Sequence, residues 1–214
     1  AMYFHIVNEK FSPFNETLRE PTEQFLQGVW NEAVVTNRTD IQSINEIAWE
    51  RLGGSLQTGE LSQPRDEWAK LLFESGLRLA NPRTDEKSVS FDDTLSTVAM
   101  LKGDDFSSWK GQTHPLMIVF NNYALEGASL TNIQAGYDPS QGNILNFQVK
   151  NSYEGRSGSP RDDFFDCTSK FAEDRIAGTP KEAYSGGRGW RMAVILNDAI
   201  VTEPNLRGAL RDGG

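Results

Sequence analysis

Two short runs, one near each end of the chain, are apolar on both faces of an extended backbone. Met2–Val7 (MYFHIV) sets Tyr3, His5 and Val7 against Met2, Phe4 and Ile6, and Arg191–Leu196 sets Met192, Val194 and Leu196 against Ala193 and Ile195. Neither has a wet side, so each is predicted to lie inside a sheet. Asn197-Asp198 tolerates positive φ and Ala199–Thr202 resumes the extended pattern, which predicts a hairpin that Pro204 stops. Between these ends the spacing changes to three and four residues. Phe25, Val29, Trp30, Ala33 and Val34 predict a helix over 22–36; Ile41, Ile44, Ile47, Ala48 and Leu52 predict a second, started by Asp40 and stopped by Gly53-Gly54. Trp68, Leu71, Leu72, Ser75 and Leu79 predict a third over 64–79. Residues 81–114 read as loop-rich, and Leu116–Phe120 as an apolar strand that closes the helical region.

Further on the two-residue period returns. Leu130–Tyr137 and Asn143–Lys150, joined by DPSQG, predict a hairpin with Leu145, Phe147 and Val149 on the dry face and Ile144, Asn146 and Gln148 on the other. After GRSGSP, the positions of Phe164, Cys167, Thr168, Phe171, Ala172 and Ile176 predict one helix over 162–176, and GTPKEAYSGG reads as a linker. No apolar run approaches the ~20 residues of a membrane-crossing helix.

Charge and residue usage narrow the chemistry. A formal charge of −9 without a compact Lys/Arg cluster disfavours nucleic acid and anionic lipid as partners. A single cysteine, Cys167, excludes an intrachain disulfide, and its place on an apolar stripe makes it a small core residue. His5 and His114 stand apart from other metal-ligating residues and read as structural. Asp92-Asp93 and Asp104-Asp105 lack the alternating oxygen ligands of a calcium loop and read as solvated turns. The motifs G-x-S-x-G, H-E-x-x-H, the P-loop and G-x-G-x-x-G do not occur, and GGRG at 186–189 precedes a strand rather than a helix. No enzyme, cofactor or metal site is expected.

The order of elements carries a resemblance. LEGASLTNIQAGYD at 125–138, NILNFQVK at 143–150, FFDCTSKFAED at 164–174 and GRGWRMAVILNDAIVTEPNL at 187–206 resemble the first large extracytoplasmic domain of SecD, the accessory subunit of the Sec export machinery also found fused to SecF. Gly127, Ala128, Leu130, Phe147, Ala193, Ile195, Leu196, Asp198, Val201, Pro204 and Leu206 stand at corresponding places, and MYFHIV is similar to the strand that precedes the family's inserted head. Residues 8–124 match no head motif, the loop over 151–163 is longer than the family's, and the family's first base repeat is missing. The bare strand at Ala1-Met2 and the plain end at Gly213-Gly214 fit an excised fragment of a longer protein.

The resemblance implies an α+β fold: a partial ferredoxin-like β-sheet base with helices on one face, residues 1–8 and 125–214, plus an inserted mainly helical head subdomain, 9–124. It implies a non-enzymatic factor on the periplasmic face of a bacterial inner membrane, assisting export driven by the proton-motive force. The expected partners are unfolded preprotein and, through the parent protein, SecF and the SecYEG channel; the membrane would be reached only through segments outside this chain. An insertion with two covalent connections suggests a hinge at Asn8, Glu9, Lys10, Asn121, Asn122 and Glu126. The competing expectation is a small-molecule or peptide-binding module whose groove lies among Phe25, Trp30, Trp49, Trp68 and Phe73 of the head.

Overall fold

The computed structural model describes residues 1–77, 91–101, 114–140 and 142–214. The chain is α+β, with a mixed six-stranded sheet, a separate two-stranded ribbon and helices. Strand β1 (Met2–Ile6) pairs antiparallel with β7 (Met192–Leu196) over its whole length, from Met2↔Leu196 to Ile6↔Met192. The two doubly apolar runs are therefore neighbours. Asn197 and Asp198 both take positive φ, 51° and 71°, and return the chain into β8 (Ala199–Thr202). Pairing does not stop at Pro204: its carbonyl accepts from Met192 N–H, and Asn205 bridges Arg191. Proline lacks only the donor, so its acceptor still serves the ladder.

The strand order β3-β2-β8-β7-β1-β4 brings in two strands from the middle of the chain. β2 (Ser96–Leu101) pairs parallel with β8 at Met100↔Ala199 and Leu101↔Ile200, and antiparallel with β3 (Leu116–Phe120). β3 then meets β1, because Val7 bridges Val119 and the Asn8 N–H donates to the Ile118 carbonyl at 3.0 Å. The sheet thus curls back on itself through five strands. Its interior holds Val7, Ala99, Leu101, Met117, Val119, Ala193, Ile195 and Ile200, all short or slim enough for a small barrel. β4 (Leu125–Glu126) follows β3 along the same edge of β1, with Phe120–Ala124 bulging between them.

Two further cores lie outside this curl. Helices α1 (Arg19–Val35), α2 (Ile41–Leu52) and α3 (Glu67–Glu74) pack Phe25, Val29, Ile44, Ile47, Leu52, Trp68 and Leu72 onto Val98, Leu116 and Ile118. Asp40 and Asp66 cap α2 and α3 with their carboxylates, and Gly53 ends α2 at φ 95°, where a side chain would collide with the Gln63 carbonyl. On the other side Phe4, Ile6, Met192 and Val194 pack against Phe147, Val149, Phe164, Phe171 and Trp190. These come from the ribbon β5–β6 (Leu130–Asp138 and Gly142–Val149), from α4 (Pro160–Ser169) and from the segments around it. The single helix expected over 162–176 breaks: α4 stops at Ser169 and a short α5 (Glu173–Ile176) begins a new axis, so that Phe171 and Trp190 can meet at 5.0 Å. A one-turn α6 (Pro180–Tyr184) occupies the expected linker.

The expected boundary between a base, 1–8 and 125–214, and an inserted head, 9–124, is crossed by the sheet and by one outer core, which includes Phe120 and Ala124. β2 and β3 belong to residues 9–124 and yet complete the same barrel as β1, β7 and β8.

Candidate functional site

The expected hinge residues converge where the two outer cores meet, and most are fixed there. Asn8 is 3% exposed; its side-chain amide donates to Ser96 Oγ at 3.1 Å and its oxygen caps a short turn at Glu9–Phe11 through Lys10 N–H. Glu9 is fully buried and receives Arg191 Nη2 at 2.7 Å and Nε at 3.1 Å. Arg191 is itself fully buried, with its guanidinium 4.5 Å from the centre of the Phe14 ring. Lys10 is half-buried, its Nζ 5.9 Å from the centre of the Phe11 ring. Asn121 is 1% exposed and its N–H donates to the Leu95 carbonyl at 2.7 Å; its side-chain amide finds no partner among the described residues. Asn122 is half-buried in the same bulge, and Glu126 lies within β4 opposite Tyr3.

Three of the six expected hinge residues are held in place in this structure. A hinge residue must change φ and ψ freely, whereas Asn8 is held by hydrogen bonds to β2 and β3, Asn121 by the Leu95 carbonyl just before β2, and Glu9 by a buried ion pair. The sequence reading missed the Glu9–Arg191 pair because 182 residues separate the partners. Arg191 directly before one doubly apolar run and Glu9 two residues after the other, Met2–Val7, were the available signal.

Both histidines are buried neutral bases. His5 points into the barrel and donates Nδ1–H to the Phe120 carbonyl at 2.9 Å, which the bulge has released from the β-ladder. Burial lowers its pKa to about 4, and the hydrogen bond to Phe120 opposes only part of that shift. His114 is lowered to about 4 for the same reason, its Nδ1 accepting from Leu116 N–H. Burial also raises the pKa of the Cys167 thiol, so it stays protonated and unreactive. Asp92 forms a turn with Thr94, while Asp104-Asp105 lies outside the described residues. Among the described residues no three metal-ligating side chains come together, and no helix is long and apolar enough to cross a membrane. Of the head aromatics, Phe25, Trp49 and Trp68 are buried, with Trp68 donating to Thr22 Oγ1; Trp30 is half-buried against the same core, and Phe73 is 36% exposed with its ring 5.6 Å from that of Trp49.

A concavity among the described residues lies elsewhere. A cleft of about 1090 Å³ opens between the free edge of β6 and the β7–β8 hairpin. Ile144, Leu145 and Phe147 form one wall, Thr202, Glu203 and Pro204 the other, with Met192, Val194, Leu206 and Leu210 between them. Glu173, Glu203 and Asp138 share its rim with Arg188 and Arg207, so neither sign of charge dominates. Part of the same strand edge is already covered by the chain itself. Phe147 N–H donates to the Gly214 carbonyl at 2.9 Å, Gly214 N–H to the Phe147 carbonyl at 3.2 Å, and Val149 N–H to the Asp212 carbonyl at 2.8 Å. The tail is tied further back by Leu210 N–H donating to Thr168 Oγ1 at 2.8 Å and by Arg211 pairing with Asp162.

Comparison with known proteins returned no significant match to a family model, a curated protein or a solved structure.

Proposed function

We propose that this chain is an extracytoplasmic domain of a SecD-type export factor that contacts unfolded preprotein. The observation that carries the reading is the register of β1 on β7, from Met2↔Leu196 to Ile6↔Met192. The resemblance requires that the N-terminal strand and the C-terminal hairpin, far apart in sequence, share one β-layer with the helical segment inserted between them. Thr168, within the FFDCTSKFAED segment of the resemblance, supports it in a second way: it accepts from Leu210 N–H and so anchors the segment that follows the hairpin. In this role the domain performs no chemistry. It binds extended chain weakly and lets go, and the work of export is supplied by the parent's membrane-embedded part.

The test is a titration of the protein into a permanently unfolded polypeptide, reduced and carboxymethylated α-lactalbumin, read by fluorescence anisotropy with the native folded form as control. Weak binding to the unfolded form alone is expected. Equal binding to both forms, or to neither, removes the proposal.

A further inference from the structure

We propose that His5 is an acid-sensitive clasp: neutral, it fastens the Phe120–Ala124 bulge to β1, and protonated, it releases the bulge and β4 from the sheet while the helical core stays folded. The inference goes beyond the preprotein-contact reading and does not depend on it.

The bulge is the connection by which the chain passes from β3 to β4 and on to the ribbon. Val7 bridges Val119 before it, and Leu125 pairs with Phe4 after it. Across the gap Ala124 N–H donates to the Phe4 carbonyl at 2.7 Å, and the Phe120 carbonyl accepts from His5 at 2.9 Å. A carbonyl only accepts, so the ring proton of His5 sits on Nδ1 and the basic nitrogen is Nε2. That nitrogen is buried and has no hydrogen-bond partner among the described residues. A proton taken up there makes an N–H without an acceptor, on a cation held inside an apolar barrel. Both costs are relieved when the ring reaches water, and reaching water means parting from Phe120.

No neighbour compensates the charge. Tyr3 on the same strand and Tyr123 in the bulge have ring centres 6.4 Å from that of His5. β7 places Ala193 opposite it, and the barrel members from β2, β3 and β8 are all uncharged. Glu126 of β4 accepts from Tyr123 Oη at 3.5 Å, and Glu9 and Arg191 close on each other. Burial is the main cause of the lowered pKa of His5, about 4, with only the Phe120 carbonyl acting against it.

Release stays local because the bulge and β4 are the weakly held edge of β1. β4 pairs with β1 at two positions, whereas β7 pairs with it throughout. Asn121 is 1% exposed with neither polar atom of its side chain hydrogen-bonded among the described residues, so water satisfies it once the bulge lifts. The helical core holds β2 and β3 through Val98, Leu116 and Ile118, and takes no member from the bulge. Phe120, Ala124 and Leu125 bury apolar surface in the other core, which keeps the release rare at neutral pH. Acid thus frees one of the two covalent links between residues 9–124 and the rest of the chain, while Glu9 and Arg191 keep the other fixed.

The experiment is amide hydrogen exchange on the intact chain, followed by NMR at pH 7.5, 6 and 5 and corrected for the intrinsic pH dependence of exchange. With the imidazole at its ordinary 6.5 in the open form and about 4 in the closed one, opening rises on the order of 30-fold between pH 7.5 and 5. Asn121 and Ala124 are expected to lose protection by that factor and to exchange faster than Ile47 and Ala48 of α2 at each pH. His5→Gln, which does not titrate, is expected to remove the pH dependence at Ala124, and His114→Gln to leave it in place.

Equal protection of Ala124 and Ile47 at every pH makes the opening global and overturns the clasp. So does a bulge whose protection is independent of pH, or one whose pH dependence survives in His5→Gln. The exchange pattern of the unaltered chain decides the first two outcomes even where the variant does not fold.

Discussion

The helical side of the molecule and the β5–β6 ribbon solve the same problem in opposite ways. On the helical side the elements are locked by their neighbours: α1, α2 and α3 share one apolar core with β2 and β3, and Asp40 and Asp66 cap the starts of α2 and α3. The ribbon buries only the start of β5 and the Phe147–Val149 end of β6, while Thr131–Tyr137 stands in solvent with Ile133 and Tyr137 exposed. A two-stranded ribbon is marginal alone. The molecule therefore keeps a packed half that fixes the sheet and a ribbon half whose outer strand, β5, is exposed on both faces from Thr131 to Tyr137. The Glu9–Arg191 pair sits where the two halves join, and the variants that probe the contrast fall in a clear order of effect.

The largest effect is expected at that joint. Glu9→Ala leaves the Arg191 guanidinium buried without its carboxylate, which costs ~3–5 kcal/mol. For a domain of this size the melting temperature falls by roughly 10 °C. Because β2 and β3 of the helical side complete the barrel, melting should stay one cooperative transition, seen together by near- and far-ultraviolet circular dichroism. Two separate transitions would mean that the halves are independent units after all. Replacing both partners with apolar residues of similar volume should recover much of the loss.

Acid probes the barrel from inside. His5 and His114 are neutral when folded, with pKa values near 4 against 6.5 when unfolded. As pH falls below about 6.5 the unfolded chain takes up protons that the folded chain refuses, so stability declines from there and levels off below about 4. Each histidine accounts for on the order of 3 kcal/mol across that window. Urea midpoints at pH 7.5, 6 and 5 measure it, and His5→Gln should flatten its share of the slope. A stability that is constant from pH 7.5 to 5 would contradict the buried neutral imidazoles.

A smaller effect is expected at Asn45, whose side chain completes β2 where β8 does not reach. Its Oδ1 accepts from Val98 N–H and Thr97 Oγ1, and its Nδ2 donates to the Val98 and Ile41 carbonyls. Asn45→Ala strands these buried groups and should cost about 2–3 kcal/mol by urea denaturation. A loss confined to a few tenths would show that water replaces the amide.

What was legible in the sequence follows the same division. Periodicity located β1, β3, β5, β6, β7, β8, α1 and α2, because each presents either a single apolar stripe or a doubly apolar strand of ordinary length. α3 came out shorter than 64–79, ending at Glu74, with Leu79 outside the described residues. β2 was hidden. STVAML mixes small polar residues with apolar ones, since Ser96 and Thr97 are buried by hydrogen bonding to Asn8 and Asn45 rather than by their own apolarity. That omission concealed the barrel, and with it the reason that residues 9–124 are not a passenger on two threads. The cleft was illegible for another cause: its lining comes from 138–147, from Glu173 and from 188–214, which only the fold brings together.

The smallest effect is expected on the ribbon. Ile133 and Tyr137 are large apolar residues, 44% and 72% exposed, and truncating either to serine should change stability by no more than about 0.5 kcal/mol. A loss several times larger would mean that these side chains are covered in solution, and so that the ribbon is an interface rather than an open edge. Sedimentation would then distinguish a second copy from a refolded ribbon.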